Sequence, residues 1–206
     1  MNYSIELERI IKLNAEKKPS LLLHACCAPC SSYVLEYLSP HFNITVFFYN
    51  PNIYPKEEYQ KRLSELHRLI KEMGIDTKII EAPYNPNEFF DISKGLENIP
   101  EGGERCKKCY RLRLEKTALE AKAGKYDYFC TTLSISPHKN ALWINEVGQE
   151  LSNIHGIPFL PSDFKKKNGY KRSIELSRQY DLYRQNFCGC VFSKAFADSK
   201  TNTEDK

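Results

Sequence analysis

The stretch that decides the fold is Ser20-Leu-Leu-Leu-His-Ala-Cys-Cys-Ala-Pro-Cys30, a short apolar run followed by three closely spaced cysteines. The run at residues 20–25 follows Pro19 and predicts a buried β-strand. Pro29 favours the first turn of a helix that continues to about Leu38. The stretch therefore predicts a strand that passes directly into a helix, with cysteines at the junction.

Strand and helix patterns alternate along the rest of the chain. Further strands are predicted at residues 44–49, 77–80, 126–131 and 157–160. Helices are predicted at residues 57–73, 109–123, 140–151 and 173–183. Residues 85–103, rich in proline, glycine and acidic side chains, predict a surface excursion. Such alternation is typical of an open parallel sheet with helices on both faces, so we predict a single α/β domain over residues 1–197 and a disordered tail over residues 198–206.

The composition is that of a globular domain. The 206 residues are 41% hydrophobic and 27% charged, with a formal net charge of +4. No segment approaches the roughly 20 apolar residues that cross a bilayer. The start of the chain lacks the charged and apolar pattern of a signal peptide. We therefore expect a cytoplasmic protein with no membrane partner.

The unusual component of the chain is cysteine. Seven of the eight cysteines lie in short clusters, whereas Cys130 stands alone. A reducing cytosol disfavours a disulfide framework, so the short spacings favour shared metal ligands or a dithiol. We predict Cys30 and Cys130 as core residues. The cysteines that remain for chemistry are Cys26, Cys27, Cys106, Cys109, Cys188 and Cys190.

Two pairs of these cysteines suit a metal centre. Cys106-Lys-Lys-Cys109 lies at the start of a predicted helix, whose N-terminus favours ionised thiols together with the two lysines. Cys26 and Cys27 follow the first strand, at the sheet edge where α/β domains bind ligands. Four thiolates suit Zn²⁺ or an iron–sulfur cluster. We favour the iron–sulfur cluster because a domain of this size does not need a structural zinc.

The third pair, Cys188-Gly-Cys190, predicts a different chemistry. One intervening residue gives poor geometry for a tetrahedral metal site but permits a strained disulfide, which is easily reduced. Two free thiols on a loop are the alternative. We favour a redox-active pair because a metal centre nearby would need electrons.

Positive charge is concentrated in residues 163–194, which contain eight basic and three acidic side chains. This segment suits a phosphate-bearing partner, with a solvated helix face as the alternative. Two histidines are possible ligands or proton donors, although His24 suits a hydrogen-bonded core position better than His138 does. Four residues could line the rim of a pocket: Tyr49, Asn50, Asn52 and Tyr54. Turn chemistry explains the two asparagines equally well.

Six short motifs follow one another between about Leu21 and Ser193. They are His24-Ala-Cys-Cys-Ala-Pro-Cys-Ser, Tyr49-Asn-Pro-Asn-Ile-Tyr-Pro, Cys106-x-x-Cys-Tyr-x-x-Arg, Thr131-Thr-Leu-x-x-Ser-Pro-x-Lys, Asp163-Phe-Lys-Lys and Leu182-Tyr-Arg-Gln-x-Phe-Cys-Gly-Cys. Together they resemble the cobalamin-independent epoxyqueuosine reductases of the QueH type, over nearly the whole chain. The resemblance implies a Rossmann-like fold of the adenine-nucleotide α-hydrolase type. The glycine-rich loop of those hydrolases is missing, and Cys26-Cys27 takes its place, so ATP use is not expected.

The resemblance also implies a set of cofactors and site residues. A redox-active disulfide joins Cys188 and Cys190, and no cobalamin takes part. A second, single iron is implied beside the cluster without assigned ligands, and Asp163 is a candidate for a role near it. The [4Fe–4S] cluster is implied to be held by Cys26, Cys27, Cys106 and Cys109.

The implied reaction is the two-electron deoxygenation of the epoxycyclopentane of epoxyqueuosine at the tRNA wobble position, which gives queuosine and water. The implied partners are tRNA, bound by its anticodon loop, and an external electron donor. Aromatic side chains such as Tyr49 or Tyr170 would stack on the unstacked base. Two alternatives stay open: a zinc-stabilised tRNA-binding module without redox activity, and a protein thiol–disulfide reductase.

Overall fold

The sheet has four parallel strands in the computed structural model of the chain, which describes residues 2–195. They are β1 (Ser20–His24), β2 (Asn43–Phe48), β3 (Lys78–Glu81) and β4 (Tyr128–Thr131), in the order β3-β2-β1-β4. All four were predicted to within two residues at either end. The predicted strand at residues 157–160 forms only one parallel bridge, between Phe129 and Phe159, because the chain leaves the sheet edge at once.

Seven helices connect and cover the strands in the described part of the chain. They are α1 (Tyr3–Leu13), α2 (Ala28–Leu38), α3 (Lys56–Met73), α4 (Asn87–Ser93), α5 (Glu104–Ala123), α6 (Ala141–His155) and α7 (Gly169–Gln179), with a 3-10 turn at Thr132–Ile135. A further helical turn covers residues 191–195.

Two helices are missing from the sequence-based prediction, and two begin earlier than predicted. Helix α1 packs Leu7 into the core and begins at Asn2, whose side chain caps it. Helix α4 lies in the segment predicted as a surface excursion, and it forms because Phe89 is buried against Cys109 of α5. Helix α5 begins five residues, and α7 four residues, before the predicted start.

Alternate residues of the strands face two separate cores. Leu21 and Leu23 of β1 pack with α1, α2 and α3 on one face of the sheet. Leu22 points the other way and packs with α5 and α6. Because successive strand side chains point to opposite faces, a fully apolar strand requires helices on both sides. The predicted doubly covered parallel sheet is confirmed.

The order of the strands creates a crevice beside the end of β1. The chain moves from β1 to β2 and β3 on one side, and then returns to place β4 on the other side of β1. Ligands of open α/β sheets bind at such a reversal, beyond the carboxyl ends of the strands. His24 and Thr131 are paired at this edge, so residues after them lie at the crevice.

Residues 196–206 fall outside the described range, and the tail predicted at residues 198–206 falls there with them. The single domain predicted over residues 1–197 stays a prediction at its ends. Within residues 2–195, every helix is too short or too polar to cross a membrane.

Candidate metal centre

Three thiols converge where β1 ends. The Sγ atoms of Cys26, Cys27 and Cys30 all lie within 4.8 Å of one another, and those of Cys26 and Cys27 are 3.7 Å apart. Cys27 caps α2 in an extended conformation and Pro29 lies in the first turn, so the next cysteine returns toward the first two. We call these three cysteines the strand-end triad. Cys30, predicted as a core residue, does pack against the core, but the prediction misses its place in the triad.

The triad holds one sulfur that loses its proton easily. Hydrogen bonds from Cys27 and Cys30 hold the pKa of Cys26 well below that of an ordinary cysteine, with help from Arg113 and Lys139 and against the effect of burial. The same hydrogen bond raises the pKa of Cys27 to about 11, and contacts with both neighbours raise that of Cys30 well above the ordinary value. Cys26 is therefore the triad thiol that ionises most readily, and a metal would displace the protons of its ligands.

Two triad residues open onto a cavity of about 420 Å³. Cys26 and Cys30 form part of its wall, and the thiol-bearing residue Cys188 forms another part. The remaining wall comes mainly from the loop before α6, the start of α7 and the segment after α7, with single residues from α2, α3 and α5. These wall residues are Pro29, Arg62, Glu101, Arg113, Ile135, Ser136, Pro137, His138, Lys139, Tyr170, Ser173, Arg184, Gln185, Asn186, Phe187 and Ser193. A cavity of this size is in the range that holds a small molecule or a base.

A second, small cavity of about 20 Å³ lies against the first. Four cysteines surround it, and we call them the helix–loop tetrad: Cys106, Cys109, Cys188 and Cys190. The two cavities share Glu101, Arg113, Lys139 and Cys188. The tetrad unites the start of α5 with the loop that follows α7, which lie about eighty residues apart in the chain.

Burial favours the protonated form of three tetrad thiols. Burial raises the pKa of Cys109 to about 12, and it also raises the pKa of Cys106 and Cys190. The prediction that the helix N-terminus and its lysines keep Cys106 and Cys109 ionised is therefore wrong for this structure. Lys107 and Lys108 are both exposed, so their charges are screened by solvent.

The four predicted cluster ligands thus fall into two neighbouring groups. Cys26 and Cys27 belong to the triad, and Cys106 and Cys109 belong to the tetrad. Among residues 2–195, only the triad brings three metal-binding side chains within 4.8 Å of one another. The shared wall residues make the two groups adjacent, so one bound group could contact both.

Two cations stand between the groups. Arg113 of α5 is buried and donates from Nη2 to Oδ1 of Asn50 at 2.7 Å. Lys139 is half-buried; burial opposes its charge, but the sulfurs of Cys188, Cys26 and Cys30 outweigh this effect and raise its pKa. Sequence patterns did not identify either cation. Arg113 is, however, the last residue of the motif that begins at Cys106, and Lys139 is the last residue of the motif that begins at Thr131. Both favour negative charge in the cavities.

The comparisons with known proteins agree with the motifs. The family model described as "Epoxyqueuosine reductase QueH" matches residues 21–195. The chain belongs to this family.

Relatives named "Epoxyqueuosine reductase QueH" cover most of the chain. The protein from Streptococcus pyogenes serotype M1 is 45% identical over 94% of this chain and 78% of its own length. That from Staphylococcus epidermidis is 44% identical over 94% and 84%. That from Thermotoga maritima is 34% identical over 84% and 90%.

One solved structure is similar in fold. It is the U34-tRNA thiolase NcsA from Methanococcus maripaludis with its [4Fe-4S] cluster, with a TM-score of 0.50 and 14% identity. The match covers 98% of this chain and 73% of that chain. At this identity the similarity concerns the fold alone, and it confirms the predicted Rossmann-like α/β fold of the adenine-nucleotide α-hydrolase type.

The Cys188–Cys190 pair of this QueH-family chain lies in a constrained loop. All eight cysteines are free thiols in this structure, so the disulfide stays a prediction. Gly189 between them has φ +118°, and a Cβ there would lie 2.9 Å from Nη1 of Arg62. The loop therefore requires glycine at this position.

Three further predicted residues of this QueH-family chain are described by the structure, and only His138 among them lines a cavity. Cys130 is a core residue, as predicted, and its thiol donates to the carbonyl oxygen of Leu160. Asp163 lines neither cavity and pairs with Lys165 at 3.1 Å, so its role stays a prediction. His138 is exposed and lines the larger cavity.

His24 is the hydrogen-bonded core histidine that the sequence suggests. Its ring nitrogens lie 2.8 Å from Oγ1 of Thr131 and 3.1 Å from the carbonyl oxygen of Tyr49. Burial, and then the charge of Arg113, lower its pKa to about 3, so the ring is neutral. It supports the sheet edge and lines neither cavity.

Only one of the four predicted rim residues lines a cavity. Asn52 lines the smaller one, and its buried Oδ1 has no hydrogen-bond partner among the described residues. Tyr49 is buried and donates to Glu88, Asn50 donates to the carbonyl oxygen of Ala25, and Tyr54 packs against Phe90. Tyr49, Asn50 and Tyr54 therefore do not line either cavity.

A residue that sequence reasoning missed contacts the triad directly. Gln185 donates from Nε2 to Sγ of Cys27 at 3.1 Å. Hydrogen bonds to ligand sulfurs tune metal centres, so Gln185 belongs to the site. Its place in the last motif, two residues before Phe187, was the available signal.

The basic segment at residues 163–194 frames the larger cavity. Tyr170, Ser173 and Arg184 of this segment line it. Three of the eight basic residues form ion pairs within the described chain: Lys165 with Asp163, Lys167 with Glu8, and Arg172 with Glu36 and Glu175.

Proposed function

We propose that this chain is an epoxyqueuosine reductase that acts on tRNA and converts the epoxide of epoxyqueuosine at the wobble position into an alkene. The observation that carries the proposal is the meeting of the strand-end triad and Cys188 on one cavity. It stands in a chain of the QueH family, whose relatives bear this name at 34% to 45% identity.

The cysteines fit an iron–sulfur cluster. Cys26 and Cys27, completed by Cys106 and Cys109, would hold a [4Fe–4S] cluster, with Cys30 as a further thiol beside it. A donor set of sulfur alone, with two cations nearby, suits such a cluster better than a hard cation. The cluster would supply electrons one at a time. The proposal involves no cobalamin. It includes a second single iron beside the cluster without assigned ligands, with Asp163 as a candidate for a role near it.

The dithiol of Cys188 and Cys190 would supply the electrons and protons that the reaction consumes. Two C–O bonds of the epoxide break, and the oxygen leaves as water with two protons and two electrons. Oxidation of Cys188 and Cys190 to a disulfide releases two electrons and two protons, which matches this demand. An external electron donor then returns the disulfide to the dithiol.

The chain's own charges support removal of the oxygen. Lys139 lines the larger cavity and its pKa is raised, so it stays protonated. A cation that holds its proton this firmly is a poor acid but a good partner for negative charge. We assign it to stabilising the charge that develops on the departing oxygen.

The tRNA partner would approach along the basic segment. Tyr170 and Phe187 offer aromatic faces at the cavity, and Arg184 offers a charge. Sequence-specific RNA recognition targets single-stranded loops whose bases can leave the stack, which suits an anticodon loop. Because the substrate is tRNA, we place the activity in the cytoplasm.

The test is anaerobic purification, analysis of iron and sulfide, and an assay on tRNA that carries epoxyqueuosine. We expect brown protein that contains iron and sulfide and converts the epoxide. Colourless protein with one zinc would favour the zinc-stabilised tRNA-binding module. If Cys26→Ala left a protein-disulfide reductase activity intact while conversion of the tRNA was never seen, the thiol–disulfide reductase would replace the proposal.

A further inference from the structure

We propose that Arg62 and Glu58 of α3 form a clamp that sets the dithiol–disulfide equilibrium of Cys188 and Cys190. The inference rests on the proposed redox role of this pair. Arg62 also lines the larger cavity, but the proposal concerns its hydrogen bonds to the loop backbone, so Arg62 is a positioning residue in it.

Arg62 forms hydrogen bonds to the backbone of the loop that contains Cys188. Its side chain is 1% exposed, although it carries a full charge. Nη1 donates to the carbonyl oxygen of Cys188 at 3.0 Å, and Nη2 reaches that of Phe187 at 3.5 Å. The guanidinium carbon also lies 5.2 Å from the centre of the Phe187 ring, at cation–π distance.

Glu58 holds Arg62 in place. One of its oxygens accepts from Nε of Arg62 at 2.7 Å, and the carboxylate side chain is 12% exposed. The other oxygen accepts from the hydroxyl of Tyr183 at 3.1 Å, near the start of the same loop. A buried charge needs such a partner, so Glu58 stabilises the buried guanidinium of Arg62 and also anchors the loop.

Three successive carbonyl groups of the loop are therefore held from outside it. Arg62 takes those of Phe187 and Cys188, and the backbone N–H of Tyr54 donates to that of Gly189 at 2.9 Å. Gly189 leaves no room for a side chain, because Nη1 of Arg62 occupies that space. The carbonyl oxygen of Cys190 accepts from the backbone N–H of Lys194 at 3.0 Å, so the backbone is held at every residue of the Cys-Gly-Cys turn.

This arrangement is the one that accompanies free thiols. A disulfide across one residue closes a small ring, which restricts the torsions of Gly189 and moves the flanking carbonyls. The contacts of Arg62 then have to weaken, so the clamp favours the dithiol. Loss of a charge-assisted hydrogen bond is enough for about a tenfold change in an equilibrium constant.

The chain contains a matched control. Arg68 lies on the same helix and also ties it to the segment after α7, through the carbonyl oxygens of Tyr180 and Asp181 at 2.9 and 3.0 Å. Its side chain is 37% exposed and does not line either cavity. Arg68→Gln therefore removes a comparable link without touching the Cys-Gly-Cys turn.

The test titrates the iron-loaded protein anaerobically with reduced and oxidised glutathione. Each molecule of oxidised glutathione takes two electrons and two protons from the dithiol, giving one protein disulfide and two reduced glutathiones. Free thiols are then alkylated, and trypsin releases residues 185–194, which contain only Cys188 and Cys190. Mass spectrometry of this peptide gives the oxidised fraction directly.

In Arg62→Gln we expect the equilibrium to move about tenfold toward the disulfide, which is about 30 mV for two electrons. Arg62→Lys should move the equilibrium less, and Glu58→Gln should also move it toward the disulfide. Arg68→Gln should match the unmutated protein. Circular dichroism and iron content identify any variant that fails to fold, in which case Arg62→Lys and Glu58→Gln decide.

The outcomes distinguish a failure of the clamp from a failure of the proposed redox role of Cys188 and Cys190. An unchanged equilibrium in Arg62→Gln, with a normal one in the unmutated protein, overturns the clamp alone. An equal shift in Arg68→Gln also overturns it, since the effect would then be a general loosening of the segment. If the unmutated pair never forms a disulfide at any glutathione ratio, the proposed redox role fails and the clamp fails with it.

Discussion

The strand-end triad and the helix–loop tetrad place thiols around adjoining cavities, but they are built in different ways. The triad lies within five residues, and the junction of β1 and α2 brings its sulfurs together. The tetrad joins residues about eighty positions apart, and its loop half depends on contacts with α3. The first is a local feature of the chain, and the second is a product of the whole fold.

Their protonation differs in the same way. The triad contains a thiol whose pKa is strongly lowered, whereas burial raises the pKa of three of the four tetrad thiols. A thiolate is ready to bind a metal, so the lowered pKa of Cys26 suits the ligand role that we propose for it.

The largest effect is expected from Cys26→Ala. It removes one of the four proposed cluster ligands, so we expect loss of iron, loss of colour and turnover below detection. Iron and sulfide analysis of anaerobically purified protein checks this result, with Cys130→Ala as the control that keeps a full complement of iron. Retention of iron and activity in Cys26→Ala would remove the triad from the metal centre.

Cys188→Ser tests whether the two halves of the tetrad have different roles. We expect it to retain iron and to lose catalytic turnover, whereas Cys106→Ala should lose iron as well. The reason is that only Cys106 and Cys109 are proposed as cluster ligands. Iron content and a tRNA assay under multiple-turnover conditions measure both. If Cys188→Ser lost iron as completely as Cys106→Ala, the tetrad would act as one ligand group.

Lys139→Met tests the cation that stands between the two groups. The variant keeps most of the side-chain volume and removes the charge, so we expect turnover to fall by about 10²–10³-fold. Binding of tRNA should change little. Lys108→Met, at an exposed position on α5, is the control. A large loss of tRNA affinity with unchanged turnover of bound tRNA would assign Lys139 to binding instead.

Gly189→Ala perturbs the loop half of the tetrad while leaving every thiol in place. The methyl group would meet Nη1 of Arg62, and φ +118° is unfavourable for alanine, so we expect about 1–3 kcal/mol of local strain. Turnover should fall by roughly tenfold or more, with iron content preserved. Urea unfolding and iron analysis check this, and Gly74→Ala at the end of α3 is the control, since Gly74 has φ +63° and nothing within 4 Å of an added Cβ. Turnover equal to that of the unmutated protein would show that the loop tolerates another shape.

The smallest effect is expected from Lys171→Ala, in the basic segment beside the larger cavity. Lys171 is exposed and forms no ion pair with the described residues, so it is available for a phosphate. Removing one phosphate contact should lower the slope of log affinity against log salt by about 1. Lys122→Ala, at the end of α5 away from the cysteines, should leave the slope unchanged. An affinity for tRNA that does not depend on salt would make the segment a solvated face.

Sequence patterns predicted most of the scaffold because the signals there are local. The apolar runs of β1 and β2, and the periodic face of α3, each specify one element. Helix α4 escaped prediction because it is stabilised by Phe89 packing on α5 and not by its own propensity. The pKa of Cys106 and Cys109 was also mispredicted, because burial depends on neighbours that are distant in sequence.

The amino-acid sequence by itself determined the alternating strands and helices, the clustering of cysteines and, through its motifs, the family. These follow from side-chain periodicity and short spacings, which are properties of neighbouring residues. Only the tertiary structure decided that Cys30 joins the triad, that the cysteines form two adjoining groups and that Arg62 holds the Cys-Gly-Cys turn. The physical reason is that packing controls the burial of charges and thiols, and packing joins residues that the chain keeps far apart.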